Sequence, residues 1–295
     1  MKTLKHGLLL STLVLSGSVF ACSIDGKDGF LPENSLRIPV NTKMTTGITE
    51  EQFNSVIDSY EAFYKPIIAS EFGANLTVVR KWSDATVNAY AQQSGKEWKV
   101  SMFGGLARHE TITPDGFALV VCHEIGHHIA GAPLYSYKLE NLLAGWASTE
   151  GQSDYFATTK CLRKVWAADN NEEIVSKMEV PETLKKACGK AKVWNEEYYT
   201  CIRGGMAGLS VANLFASFGG AKPAFDTPDT KEVSRTNERH PAAQCRLDTY
   251  FQGALCEVNM NDDFSRDSEV TGACHGSLGH SVGLRPRCWF KPTIL

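Results

Sequence analysis

The chain has no surplus of positive charge: 30 lysines and arginines stand against 33 aspartates and glutamates, a formal net charge of −3 over 295 residues. That removes the basic footprint of a nucleic-acid surface, and no nucleic acid partner is expected. Internal repeats and low-complexity tracts are also missing, which argues against repeat architectures. Beyond the first 21 residues no apolar run is long enough to span a bilayer. The uncharged stretch Gly204 to Ala221 is rich in Gly, Ala and Ser and is broken by Asn213, short of the roughly 20 strongly apolar residues a span requires. It reads instead as part of a buried helix from Tyr198 to Phe218. What remains, 43% hydrophobic and 21% charged, suits an ordinary globular enzyme.

The N-terminus reads as a secretory signal. Lys2 and Lys5 form its charged start, Leu8 to Val19 its apolar core, and Val19-Phe20-Ala21 a small-residue cleavage site. Cleavage there leaves Cys22 first, but Phe20 stands where a lipobox usually has a smaller residue. Two forms therefore stay open: a soluble periplasmic or secreted protein, and a lipoprotein anchored to the membrane through Cys22. In the second, Ser23 points to the outer membrane by analogy with bacterial sorting. Of nine cysteines, setting Cys22 aside leaves an even number, as an oxidising compartment favours. Pro241 through Cys256 reads as a helix with Pro at its first position. Cys245 and Cys256 lie about 16 Å apart along it, too far to bridge each other. Cys274 and Cys288 are their natural partners, which would staple the tail to the body.

The motif His123-Glu124-Ile125-Gly126-His127 carries the chemistry. On a helix, positions i and i+4 share a face, so both imidazoles reach one point. That is the bite of a tetrahedral Zn²⁺, at about 2.0–2.1 Å per nitrogen. Glu124 sits beside them, placed to take a proton from the attacking water. Thr113-Pro114-Asp115 predicts the helix start, with Thr113 as N-cap. Phe117 to Cys122 is apolar on every side, as for a helix at the centre of a domain. Gly131 with Pro133 predicts the stop.

A third ligand follows by elimination. HExxHxxGxxH would need Gly and His where the chain has Ala130 and Pro133. Glu150 and Asp154, at i and i+4, offer the alternative. Glu150 completes a His₂Glu site with one position open, and Asp154 takes the spare ring N–H of a ligating histidine. Pro133 to Ala147 is long enough to bring the second helix back antiparallel to the first.

HExxH followed by ExxxD resembles the gluzincin metallopeptidases. Three further segments resemble the M48 family, HtpX-like, in its soluble periplasmic form: Val87-Asn88-Ala89-Tyr90-Ala91, Val100 to Leu106, and His240-Pro241-Ala242-Ala243-Gln244-Cys245-Arg246. The resemblance covers roughly residues 50–257, and the last forty or so have no counterpart in it. It implies an α+β, predominantly helical, zincin-like domain with a small sheet and a buried HExxH helix, followed by a Cys-containing C-terminal extension. It implies one Zn²⁺ per chain, endopeptidase activity on protein or peptide substrates, and a role in envelope protein quality control. It places His240 near the cleft, either donating to the oxyanion or swinging in as a further ligand that idles the enzyme. Arg246 is then an oxyanion or substrate-carboxylate partner, or a structural ion pair. One edge strand of such enzymes pairs with extended substrate, and the strand ending near Gly104-Gly105 is the candidate.

The domain reading is a signal peptide over 1–21, a tether over 22–45, the metallopeptidase domain over 46–257 and a disulfide-stapled extension over 258–295. Thr49-Glu50-Glu51-Gln52 predicts a capped helix towards Ile67, and Leu76–Val79 and Trp98–Met102 predict short strands. His128 lies off the metal face as a packing residue, and His109 reads as a surface residue. Cys122 is a buried thiol or half of a disulfide. His275 and His280, in a Gly/Ser-rich tail, are ordinary loop histidines more readily than a second metal site. Two other classes stay open beside the peptidase: a zinc-binding, chaperone-like or gated protein without turnover, and a scaffold in which the motifs are accidental.

Overall fold

Thr49 opens the first long helix through a reciprocal cap. Its hydroxyl accepts from the Gln52 amide, and the Gln52 side chain accepts from the Thr49 N–H at 2.9 Å. The helix, α1 (Glu50–Phe72), buries Phe53, Ile57, Tyr60, Tyr64 and Ile68, one per turn on a single stripe. The structure, a computed structural model, describes residues 19–20, 29–42, 47–136, 144–191 and 196–293. Most of the expected signal peptide, Cys22 and Ser23 lie outside these.

The main sheet holds β1 (Val19–Phe20), β2 (Asn75–Lys81), β3 (Ala89–Ser94) and β4 (Glu97–Phe103) in the order β1-β3-β4-β2. β4 runs parallel to β2 and antiparallel to β3, whose outer edge pairs antiparallel with Val19 and Phe20 opposite Gln93 and Gln92. This corrects the choice of edge strand. The strand leading into Gly104-Gly105 lies between β3 and β2, and from Val100 onward it is buried on both faces, as an interior strand must be.

A short turn of helix, α2 (Gly104–Ala107), leads to α3 (Pro114–Ile129), which carries the HExxH motif. Thr113 caps α3 by accepting from the Gly116 amide, and Pro114 takes its first position. All residues from Gly116 to His128 are buried. The return segment is a hairpin of β5 (Leu134–Ser136) and β6 (Ala144–Ser148), followed by α4 (Glu150–Phe156). A π-helical turn, Ala157–Cys161, continues into α5 (Leu162–Val165), and α6 (Asn171–Ser176) and α7 (Glu182–Ala191) precede α8 (Glu196–Ala216) and α9 (Ala243–Leu255). α9 begins two residues beyond Pro241, with Ala242 as N-cap, so Pro241 lies outside the helix rather than at its first position. The chain is thus α+β and mostly helical, with small mixed sheets. Among the described residues no helix is long and apolar enough to cross a membrane.

Four disulfides tie these elements together: Cys122–Cys161, Cys188–Cys201, Cys245–Cys288 and Cys256–Cys274. The last two staple the C-terminal extension to both ends of α9, as the spacing along that helix requires. Eight paired cysteines are the usage of an oxidising, extracytoplasmic compartment. The stretch read as a tether is partly body: Phe30 and Leu31 are buried, and Asn88 holds Leu31 by accepting from its N–H and donating to its carbonyl.

Lys160, in the π-helical turn, is fully buried and its ammonium donates to the Asn259 carbonyl at 2.6 Å. Burial, reinforced by the Arg163 charge, lowers it from the usual 10.5 to about 7. Between those values the unfolded chain binds the extra proton, so stability climbs as pH rises through this window and is lowest below it. Relative to Lys160→Met, wild type is expected to gain on the order of 3 kcal/mol between about pH 6.5 and 9.5. Urea unfolding of both proteins at the two pH values checks this. A pH-independent difference would mean that the ammonium stays charged in the fold.

Candidate metal centre

α3 and α4 approach at Gly126, the fourth residue of the motif. A Cβ there would sit 3.1 Å from the Ser153 Cα and 3.0 Å from the Phe156 ring, so glycine lets the two helices close without either giving way. This contact brings Glu150 over the histidines. Glu150 Oε2 stands 3.3 Å from His123 Nε2, and Oε1 stands 3.6 Å from His127 Nε2. His123, Glu124 and His127 also offer ligand atoms within 4.8 Å of one another. All four side chains are 0% exposed.

The far ring atoms are engaged, which turns both Nε2 atoms inward. His123 Nδ1 donates to Asp154 Oδ1 at 2.7 Å, and His127 Nδ1 donates to the Ser148 carbonyl at 2.8 Å. Meanwhile His123 Nε2, both Glu124 oxygens and Glu150 Oε2 are buried without a hydrogen-bond partner. A cluster of sealed acceptors is costly unless a cation joins it. Nitrogen and carboxylate donors in this arrangement fit a divalent metal such as zinc. His123, Glu124 and His127 form the buried group that could hold it, and the Glu150 carboxylate lies beside both histidine nitrogens.

The electrostatics of this cluster are uneven. Burial opposes a charge on His123, but Asp154 outweighs it and raises the ring to about 9. Burial lowers His127 to about 4. Burial pushes the Glu124 carboxyl up to about 8. It works the same way on Glu150, yet His240, His123 and His127 together hold that carboxyl well below its usual range.

Asp154 is the hub of the outer layer. Beside His123, its Oδ1 accepts from Arg246 Nη2 at 2.5 Å and from the Tyr250 hydroxyl at 2.7 Å. Arg246 is fully buried, and its Nη1 lies 3.7 Å from Glu150 Oε2. Phe30 and Phe215 stack on this guanidinium at 4.6 and 4.0 Å. Of its two sequence readings, this geometry is that of an ion pair. His240 comes to the same place, with Nδ1 at 3.1 Å from Glu150 Oε2 and Nε2 without a partner.

Asp154→Asn removes the carboxylate that orients His123 and is expected to weaken metal binding about 10- to 100-fold. Competition against a chromophoric chelator measures it, with the melting temperature recorded alongside. Unchanged affinity would reduce Asp154 to a packing role.

Several contacts leave no mark in the sequence. Tyr135, from the β5–β6 hairpin, donates to Glu150 Oε1 at 3.0 Å. Phe30 packs edge-on against His123 with 4.8 Å between ring centroids. Tyr250 lies one helical turn after Arg246, a spacing that puts both on one face of α9 towards Asp154. His128 is a packing residue, stacked between Trp98 and Trp146 at 4.9 Å from each. His109 is buried rather than on the surface: its Nδ1 meets Thr111 Oγ1 at 3.0 Å and its Nε2 meets Ser217 Oγ at 3.4 Å. The loop before α3 folds inward under α8, which loop composition did not reveal. Cys122 is half of a disulfide. Among the described residues neither His275 nor His280 joins a metal-type cluster, and His275 instead caps a short helical turn through the Ser277 amide.

No protein-family model matches the chain, and no curated protein or solved structure matches it either. The likeness to M48 peptidases therefore rests on the residues themselves.

Proposed function

We propose that this chain is an exported zinc endopeptidase of the M48-like gluzincin type, hydrolysing peptide bonds of unfolded or misassembled envelope proteins. The observation that carries the proposal is the convergence of Glu150 on His123 and His127, with unpartnered Glu124 beside them. Bound there, zinc would supply a Lewis acid that polarises a peptide carbonyl and acidifies water. His123, His127 and Glu150 would hold it. A Glu124 carboxylate oxygen takes the proton of the attacking water and passes it to the leaving amine. His240 Nε2 donates to the developing oxyanion, and Arg246 keeps Asp154 in place behind His123. The outer edge of β3, where Val19 and Phe20 pair, replaces β4 as the strand that receives extended substrate.

Complete burial of the four central side chains favours one second reading, a gated metal-binding protein without turnover. Metal content together with cleavage of unfolded casein, for wild type and Glu124→Gln, separates the two. About one zinc per chain with cleavage by wild type alone supports the peptidase. Zinc in both without cleavage supports the gated protein, and no zinc in either overturns both.

A further inference from the structure

Far from the motif in sequence, a second feature carries a buried charge that meets aromatic rings but no carboxylate. A cavity of about 760 Å³ opens between α9, the loop after α8 and the C-terminal extension, within the size range of small-molecule sites. No residue of the metal centre lines it. Phe225, Phe251, Leu284 and Phe290 give it apolar walls, and Arg285 stands among them.

Arg285 is only 4% exposed. Its Nε donates to Gln152 Oε1 at 2.7 Å and its Nη1 to the Glu269 carbonyl at 2.8 Å. Nη2 is buried and has no partner. Among the described residues no carboxylate lies within ion-pair distance of this guanidinium. Arg203 and Arg246, equally buried, each meet one or two carboxylates. The acids nearby are committed elsewhere. Glu269 accepts from Thr293 at 3.1 Å. Asp248, on the cavity wall, accepts from the Asp229 amide at 2.7 Å and from the Gln244 side chain at 2.8 Å. Arg287, at the rim, is already paired with Glu232.

A guanidinium keeps its charge at any physiological pH, and a buried charge without a counter-ion is costly. Arg285 lines the cavity, so an anion bound there lies beside its guanidinium and takes up the unmade hydrogen bond once Nη2 turns to it. We propose that this cavity binds an apolar small molecule by its carboxylate, with Arg285 as the charge partner and the four apolar side chains around the hydrocarbon. The proposal is independent of the peptidase reading.

Calorimetric titration of the full chain with sodium octanoate, and separately with 1-octanol, tests it. Octanoate is expected to bind one to one, and octanol at least about 10-fold more weakly, since one charge-assisted hydrogen bond is worth that much. Arg285→Gln should lower octanoate affinity by about the same factor and leave octanol unchanged. Because Arg285 also braces Gln152, the variant's fold is checked by near-ultraviolet circular dichroism. Should it fail, Leu284→Trp fills the cavity without touching the guanidinium and should abolish binding. N-acetyl-dileucine, run beside octanoate, tells a peptide carboxylate from a fatty-acid one by which binds more tightly. Equal binding of octanoate and octanol, no octanoate binding, or octanoate binding that survives the folded variant would overturn the proposal.

Discussion

Glu124→Gln is expected to keep its metal and to hydrolyse unfolded casein about 10²–10⁴-fold more slowly than wild type. The amide is nearly isosteric with the acid, and neither oxygen of Glu124 holds a partner that the substitution would break. The substitution keeps the size and shape of the side chain, so the fold should not change. What disappears is a group able to accept a proton at an atom facing His123 and Glu150. Metal analysis and a cleavage assay on the same sample read the two effects separately. Loss of metal along with activity would make Glu124 a ligand instead of a base, a role that its atoms within 4.8 Å of the histidine nitrogens do not forbid.

Glu150→Ala is expected to do the opposite: lose the metal and, with it, all hydrolysis. This carboxylate faces both Nε2 atoms at 3.3 and 3.6 Å, and Tyr135 and His240 are arranged around it. Removing it leaves a two-nitrogen bite and takes one of two carboxylates from beside Arg246. The loss of affinity should exceed the 10- to 100-fold expected when an outer orienting group is removed. Dialysis against a weak chelator should strip the variant and spare wild type. Retention of a full complement of metal would show that two histidines and Glu124 suffice, and would return Glu150 to the outer layer with Asp154. The two variants together separate chemistry from binding, which neither does alone.

How much of this was legible beforehand follows the range of each interaction. The helix carrying HExxH was read from Thr113 to its end because capping, proline placement and the i, i+4 geometry are local. That Cys245 and Cys256 do not bridge each other followed from helix length, at 1.5 Å per residue, whereas their pairing with Cys288 and Cys274 was settled by the tertiary structure. His109 was misread because burial of a loop depends on what packs over it, here Ser217 at the end of α8. The edge strand was misassigned because strand order is not written in any one strand: β4 has the alternation of a half-buried strand at its start and becomes interior only because β2 runs beside it.

From the residues alone came a buried helix offering two histidines and a glutamate to one point, a second helix with Glu150 and Asp154 on one face, and cysteine usage fit for an oxidising compartment. Each is a statement about neighbours along the chain, where backbone geometry leaves few options. Only the tertiary structure decided that Arg246 and Tyr250 converge on Asp154, that Phe30 braces His123 from over ninety residues away, and that Arg285 is sealed beside a cavity with no acid to meet it. Those depend on contacts between distant segments, which the packing of the whole core selects and which no periodicity records.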